Sequence, residues 1–192
     1  FNATIISCLL YFAFLGMALV GVQTFAVSGL VQLYEISLAG ATSGLTAFLI
    51  ASTIGVICGG FAANQTDRHD RIATTGMGLA GAAFVFIGGN MITAGLLIPL
   101  FAFAGFVAGM TSPSRDMIVR KVAPQGASGR VFGFVYSGLD LGSALIPLLL
   151  GVILDYGAPD MVFYAIALVF MITAFTIRFV KPRPSQGTLS SR

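Results

Sequence analysis

Charge is what this sequence has least of: 9% of its 192 residues are Asp, Glu, Lys or Arg, against roughly a quarter in an ordinary soluble domain. With 57% hydrophobic residues and a mean hydropathy of +0.95 spread along the whole length, too little polar surface remains to wrap one buried core. Lipid is therefore the expected solvent for most residues. Cysteine is nearly absent too. Cys8 and Cys58 stand inside apolar runs without C-x-x-C or metal-ligand spacing, which gives no support to a disulfide framework or a zinc site. There is no Ser/His/Asp or Cys/His set, no phosphate loop and no paired intramembrane histidine or aspartate. No catalytic residue, metal site or cofactor is expected, and the chain does not read as an enzyme. A basic segment with a cleavage site is also missing ahead of the first apolar run. The chain opens at Phe1, is apolar by Ile5, and reads as a truncation.

What the sequence has is long apolar runs. A bilayer core of roughly 30 Å needs about 20 helical residues to cross it, and cutting the chain at its charges leaves six such spans: 3–33, 39–63, 72–91, 95–114, 131–154 and 159–180. The uncharged stretch from Ile72 to Ser114 is too long for one span, and Gly88, Gly89, Asn90 and Gly95 mark a turn inside it. Gly40, Gly44, Gly55, Gly59 and Gly60 in the second span predict close packing against a neighbour. Barrel strands would alternate polar and apolar over roughly ten residues, whereas these runs are continuously apolar. The fold class predicted is therefore all-α and integral to the membrane, a bundle over 1–181 followed by a polar, disordered tail over 182–192.

The basic residues are missing from every second connection. Arg68 and Arg71 follow the second span, Arg115, Arg120, Lys121 and Arg130 lie between the fourth and fifth, and Arg178, Lys181, Arg183 and Arg192 follow the sixth. The intervening connections hold only Glu35, Asp155 and Asp160 as charged residues. By the positive-inside rule the basic connections face the cytoplasm, which puts both ends of the chain there and the protein in a plasma membrane, for a bacterium the inner one. Nucleic acid as the partner of these charges would not produce such alternation.

Two cytoplasmic connections carry a resemblance. After the second span the sequence runs Gly59-Gly60-Phe61-Ala62-Ala63-Asn64-Gln65-Thr66-Asp67-Arg68-His69-Asp70-Arg71. It resembles the G-x-x-x-D-R-x-G-R-R loop of major facilitator superfamily transporters in its degenerate second-half version. Gly60 fits the motif's glycine and Arg68 and Arg71 its basic residues, while Asn64 stands where the acid is expected and Asp67 is the carboxylate that can substitute. The stretch from Ser112 through Arg115, Asp116 and Arg120, followed by Gly129-Arg130-Val131-Phe132-Gly133, is similar to the fosmidomycin-resistance-like branch of that superfamily's exporters. The resemblance implies the C-terminal six-helix half of a facilitator fold, an N-terminal six-helix half missing from this sequence, and a small-molecule path between the halves. Gly60, Asp67, Arg68, Arg71, Arg115 and Asp116 are then the candidates for a cytoplasmic gate.

Asp140 is the one carboxylate placed deep in a span, nine residues past Val131 and so roughly 14 Å along a helix rising 1.5 Å per residue. Intramembrane acids cost a few kcal/mol to insert and mark ion pathways or proton relays. Tyr136 and Ser137 fall one turn before it on the same face, and the expectation is that Asp140 carries a proton with these two as hydrogen-bond partners. A structural acid bonded across helices is the alternative. Gln23 and Thr24 sit in the outer half of the first span, where the resemblance implies a cavity-lining helix and contact with substrate. The expected function is secondary active transport of a small solute by alternating access, driven by H+ in antiport and directed outward. The alternative is a six-helix channel or scaffold subunit acting as an oligomer.

Overall fold

The computed structural model describes residues 3–66, 68–122 and 128–177. Asp67, the basic residues from Arg178 onward and the polar tail 182–192 lie outside the described residues. Six long helices follow one another: α1 (Ala3–Tyr34), α2 (Leu38–Asn64), α3 (His69–Gly88), α4 (Ala94–Val122), α5 (Ser128–Asp155) and α6 (Pro159–Thr176). All six are long and apolar enough to cross a membrane, and the described residues contain no strand. Helices are what lipid requires, because each satisfies its own backbone hydrogen bonds without water.

The turns between helices are short and chemically specified. Ser37 accepts a hydrogen bond from the Gly40 amide at 3.2 Å and so caps the start of α2. Asn90 turns the chain after α3 with φ of 50°, a left-handed conformation that asparagine tolerates better than most residues. Pro159 starts α6, where its missing N–H has no helical partner to lose. The fourth helix differs from the span read at 95–114: it continues past Ser114 through Arg115, Asp116 and Arg120 to Val122. Charged residues end an apolar run without ending a helix, since arginine is a good helix former. His69, which its charged neighbours would place in a solvated turn, starts α3 and is 3% exposed.

Two tight helix pairs make up the bundle, α2 with α4 and α1 with α5, and α3 and α6 brace them by packing on each other, on α4 and on α1. The pairing is made by glycine. A Cβ at Gly55 or Gly59 would overlap the carbonyl oxygens of Phe106 or Met110, and one at Gly105 or Gly109 would overlap those of Phe48 or Ser52. The two helices thus interlock backbone to backbone at a four-residue period, as small residues allow in lipid. Gly138 and Gly142 of α5 lie in the same way on the carbonyls of Leu9 and Ala13 in α1. Where α2, α3, α4 and α6 converge, Phe84 stacks on Phe170 at 5.6 Å and meets Phe101 edge-on at 5.6 Å and Phe48 at 6.4 Å. The helices are therefore unequally covered: 17% and 22% of the apolar stretch is buried in α2 and α5, against 44–50% in the other four.

Candidate functional site

Exposed polar groups stand on α1, on α2 and on α5. On α1 these are Gln23 and Thr24, followed at four-residue spacing by Ser28 and Gln32, all exposed. On α2 the hydroxyls of Thr42, Ser43, Thr46 and Thr53 are exposed, and each donates to the carbonyl four residues earlier. This is the ordinary way for a helix to satisfy a hydroxyl away from water. On α5 Asp140 is exposed, with Ser143 half-buried one turn further.

Helix packing fixes the depth of Asp140. Gly138 and Gly142 lie on the Leu9 and Ala13 carbonyls, and Gly16 on that of Leu139. Asp140 is thus level with residues 13–16 of α1, roughly 15–20 Å from the start of that helix at 1.5 Å per residue. The hydroxyls expected beside it are directed elsewhere. Ser137 donates to the Phe134 carbonyl of its own helix at 2.7 Å, and Tyr136 reaches across to α4, where its hydroxyl donates to Asp116 Oδ1 at 2.9 Å. A phenol bonds most strongly to an ionised acceptor, and Asp116 lies within its reach.

That bond makes Asp116 the centre of a cluster joining three helices. Arg115 Nε lies 3.3 Å from the same Oδ1, and its side chain is 13% exposed against 41% for Asp116. The guanidinium rests over the Phe12 ring of α1, 5.2 Å from its centroid, a cation–π contact. Phe12 in turn meets Tyr136 at 4.8 Å, and Phe132 stacks on the other side of Tyr136 at 5.9 Å. Arg115 and Asp116, expected at a helix end, stand about 9 Å inside it, because α4 runs six residues beyond Asp116.

A cavity of about 480 Å³ lies beside the cluster between α2 and α4, lined among others by Gly60, Asn64, Pro113, Asp116 and Arg120. It brings together Gly60 and Asp116, two of the residues proposed for a gate. Arg68 and Arg71 do not line it; both are exposed at the start of α3. Phe12 and Tyr11, which complete the cluster, were not legible in the sequence. Nothing distinguishes Phe12 from sixteen other phenylalanines until α1 is packed on α5. Tyr136→Phe keeps the ring contacts and removes the donor to Asp116. It is expected to lower stability by about 1.5–3 kcal/mol, the range for a hydrogen bond to a charged group, and thermal unfolding followed by circular dichroism in detergent measures it.

Among the described residues no group of three or more His, Cys, Asp or Glu is placed to hold a metal ion. Among curated proteins, none matches the chain. Six apolar helices with polar groups on an open face suit a protein that moves solutes through a membrane, and residues 6–192 match the sequence profile of the Major Facilitator Superfamily. The chain accordingly belongs to the major facilitator superfamily, a family of membrane transporters, and is integral to the membrane.

Proposed function

We propose that these six helices form one half of a secondary transporter that alternates access to a site between two six-helix halves and exports a small solute in exchange for protons, with Asp140 as the proton carrier. The observation that carries the reading is Asp140 itself, a carboxylate exposed on the open face of α5 at a depth where ionisable side chains are rare and mark ion pathways or proton relays. The poorly covered faces of α2 and α5 are the surfaces on which a second half would close. Gln23 and Thr24 would contact solute from α1, and Gly60, Arg115 and Asp116 would form the gate at the other end, with Arg68 and Arg71 at its rim. The similarity of the Ser112–Gly133 stretch to fosmidomycin-resistance-like exporters supports the outward direction.

Inverted membrane vesicles holding the full transporter test the reading. Acidified by respiration, they should lose part of their pH gradient when a transported member of a solute panel is added, and vesicles without the protein should not. A panel that moves no protons, although the protein is folded in the vesicles, would overturn the proton-coupled reading.

Orientation is tested separately. With both chain ends cytoplasmic, a cysteine at Met91, which is 75% exposed in the turn after α3, reacts with a membrane-impermeant maleimide added to intact cells. A cysteine at Gly129 at the start of α5 reacts only after the cells are opened. The opposite pattern reverses the topology drawn from the positive-inside rule.

A further inference from the structure

We propose that Asp116 is a protonation-controlled latch: as a carboxylate it ties the α2/α4 pair to the α1/α5 pair, and on taking up a proton it releases them. α4 and α5 share almost no direct packing, yet the Tyr136 hydroxyl crosses between them to Asp116 Oδ1 at 2.9 Å. The same oxygen holds Arg115 at 3.3 Å, and Arg115 covers Phe12 on α1. One carboxylate oxygen therefore organises the contact of three helices at the end of the bundle where α1 and α5 begin.

Protonation acts on both bonds at once. A neutral carboxyl is a weaker acceptor for Tyr136 than a carboxylate, and it leaves Arg115, which is 13% exposed, as a cation without a counter-charge in largely apolar surroundings. An unpaired, desolvated charge is unfavourable enough to force rearrangement. A second partner for Arg115 is present. The Tyr11 hydroxyl of α1 is buried without a hydrogen-bond partner among the described residues, and it lies close enough to feel both Arg115 and Asp116. Its oxygen can accept from the guanidinium once Asp116 is neutral, so the cation moves from α4's own carboxyl to α1.

The titratable and charged groups around Asp116 are Tyr11 and Cys8 on α1, Arg115 and Arg120 on α4, and Tyr136 on α5 with Asp140 one turn beyond; α2 contributes the uncharged Asn64. Of the two acids in this set, Asp116 is the one bonded to a second helix. The cavity shared with Gly60 and Arg120 gives it a route to solvent. The proton is taken from water and returned to it, and no bond between heavy atoms changes.

The latch borrows its purpose from the transporter reading, but it is measured without any substrate. Spin labels at Gln65→Cys, at the end of α2, and Gly133→Cys, on the exposed side of α5, report the separation of the two pairs in the full chain in nanodiscs, with Cys8→Ala and Cys58→Ser removing the native thiols. Between about pH 7 and about pH 2.5, which brackets the aspartate range in folded proteins, the distance distribution of the parent should shift toward longer separations. Asp116→Asn should hold the longer distribution at every pH, and Arg115→Gln should shrink the pH response because no stranded cation remains. Asp140→Asn should leave the response in place. A parent whose distances ignore pH, or an Asp116→Asn protein that keeps the parent's shift, overturns the latch. Either result leaves the role of Asp140 to be decided by transport, so the two readings fail independently.

Discussion

Leucine in place of Gly59 abolishes the stable fold. Gly59 lies against the Met110 carbonyl with no room for a Cβ, and Gly55, Gly105 and Gly109 repeat the arrangement along the same pair of helices. Extra bulk in a well-packed core costs about 1–3 kcal/mol when neighbouring side chains can yield. Here the obstacle is backbone, which cannot rotate aside, so α2 and α4 must separate and the loss is expected at or above about 3 kcal/mol. The next residue supplies the control. Nothing lies within 4 Å of a Cβ at Gly60, and Gly60→Leu should change stability by less than about 0.5 kcal/mol. Unfolding in detergent followed by circular dichroism compares the two. A Gly59→Leu protein that melts with the parent would mean that α2 and α4 do not pack as closely as the structure shows.

Neutralising Asp140 is expected to end proton-driven transport. Asp140→Asn keeps the size and hydrogen-bonding capacity of the side chain while removing its ability to bind and release a proton. In inverted vesicles, pH-gradient-driven uptake of a transported solute should fall by about tenfold or more, as for an acid that lies on an intramembrane proton path. Exchange of labelled for unlabelled solute, which needs no net proton movement, should continue. Because Asp140 is exposed on the open face of α5, the substitution is expected to spare folding, and normal membrane abundance of the variant accompanies the transport defect. Retained proton-coupled uptake with an unchanged pH profile removes Asp140 as the carrier. Loss of the protein from the membrane supports instead an acid that bonds across helices.

These two residues differ in how far the sequence announces them. Asp140 stands out because a carboxylate interrupts a continuous apolar run, and an isolated charge in lipid is informative by itself. Gly59 is one of 24 glycines, and its neighbour Gly60 carries the motif resemblance. Only the packing of α4 separates the glycine that cannot be replaced from the one that can.

The cluster around Asp116 shows the same boundary. Arg115 and Asp116 are adjacent in sequence and read naturally as a pair, and Tyr136 reads with Asp140 because they share a face of one helix. The structure instead bonds Tyr136 to Asp116, joining residues that the sequence places in separate groups.

By itself the sequence determined that this protein is six apolar helices in lipid. In a medium without water each segment must satisfy its own backbone, and the length of an apolar run therefore reports a helix without reference to any other part of the chain. The tertiary structure decided which glycines close which interface, that α4 carries its charged residues well inside a helix, and that Asp116 sits where side chains of three helices meet. Those outcomes depend on the register and rotation of one helix against another, set by steric contacts between segments far apart in the chain that no local pattern encodes.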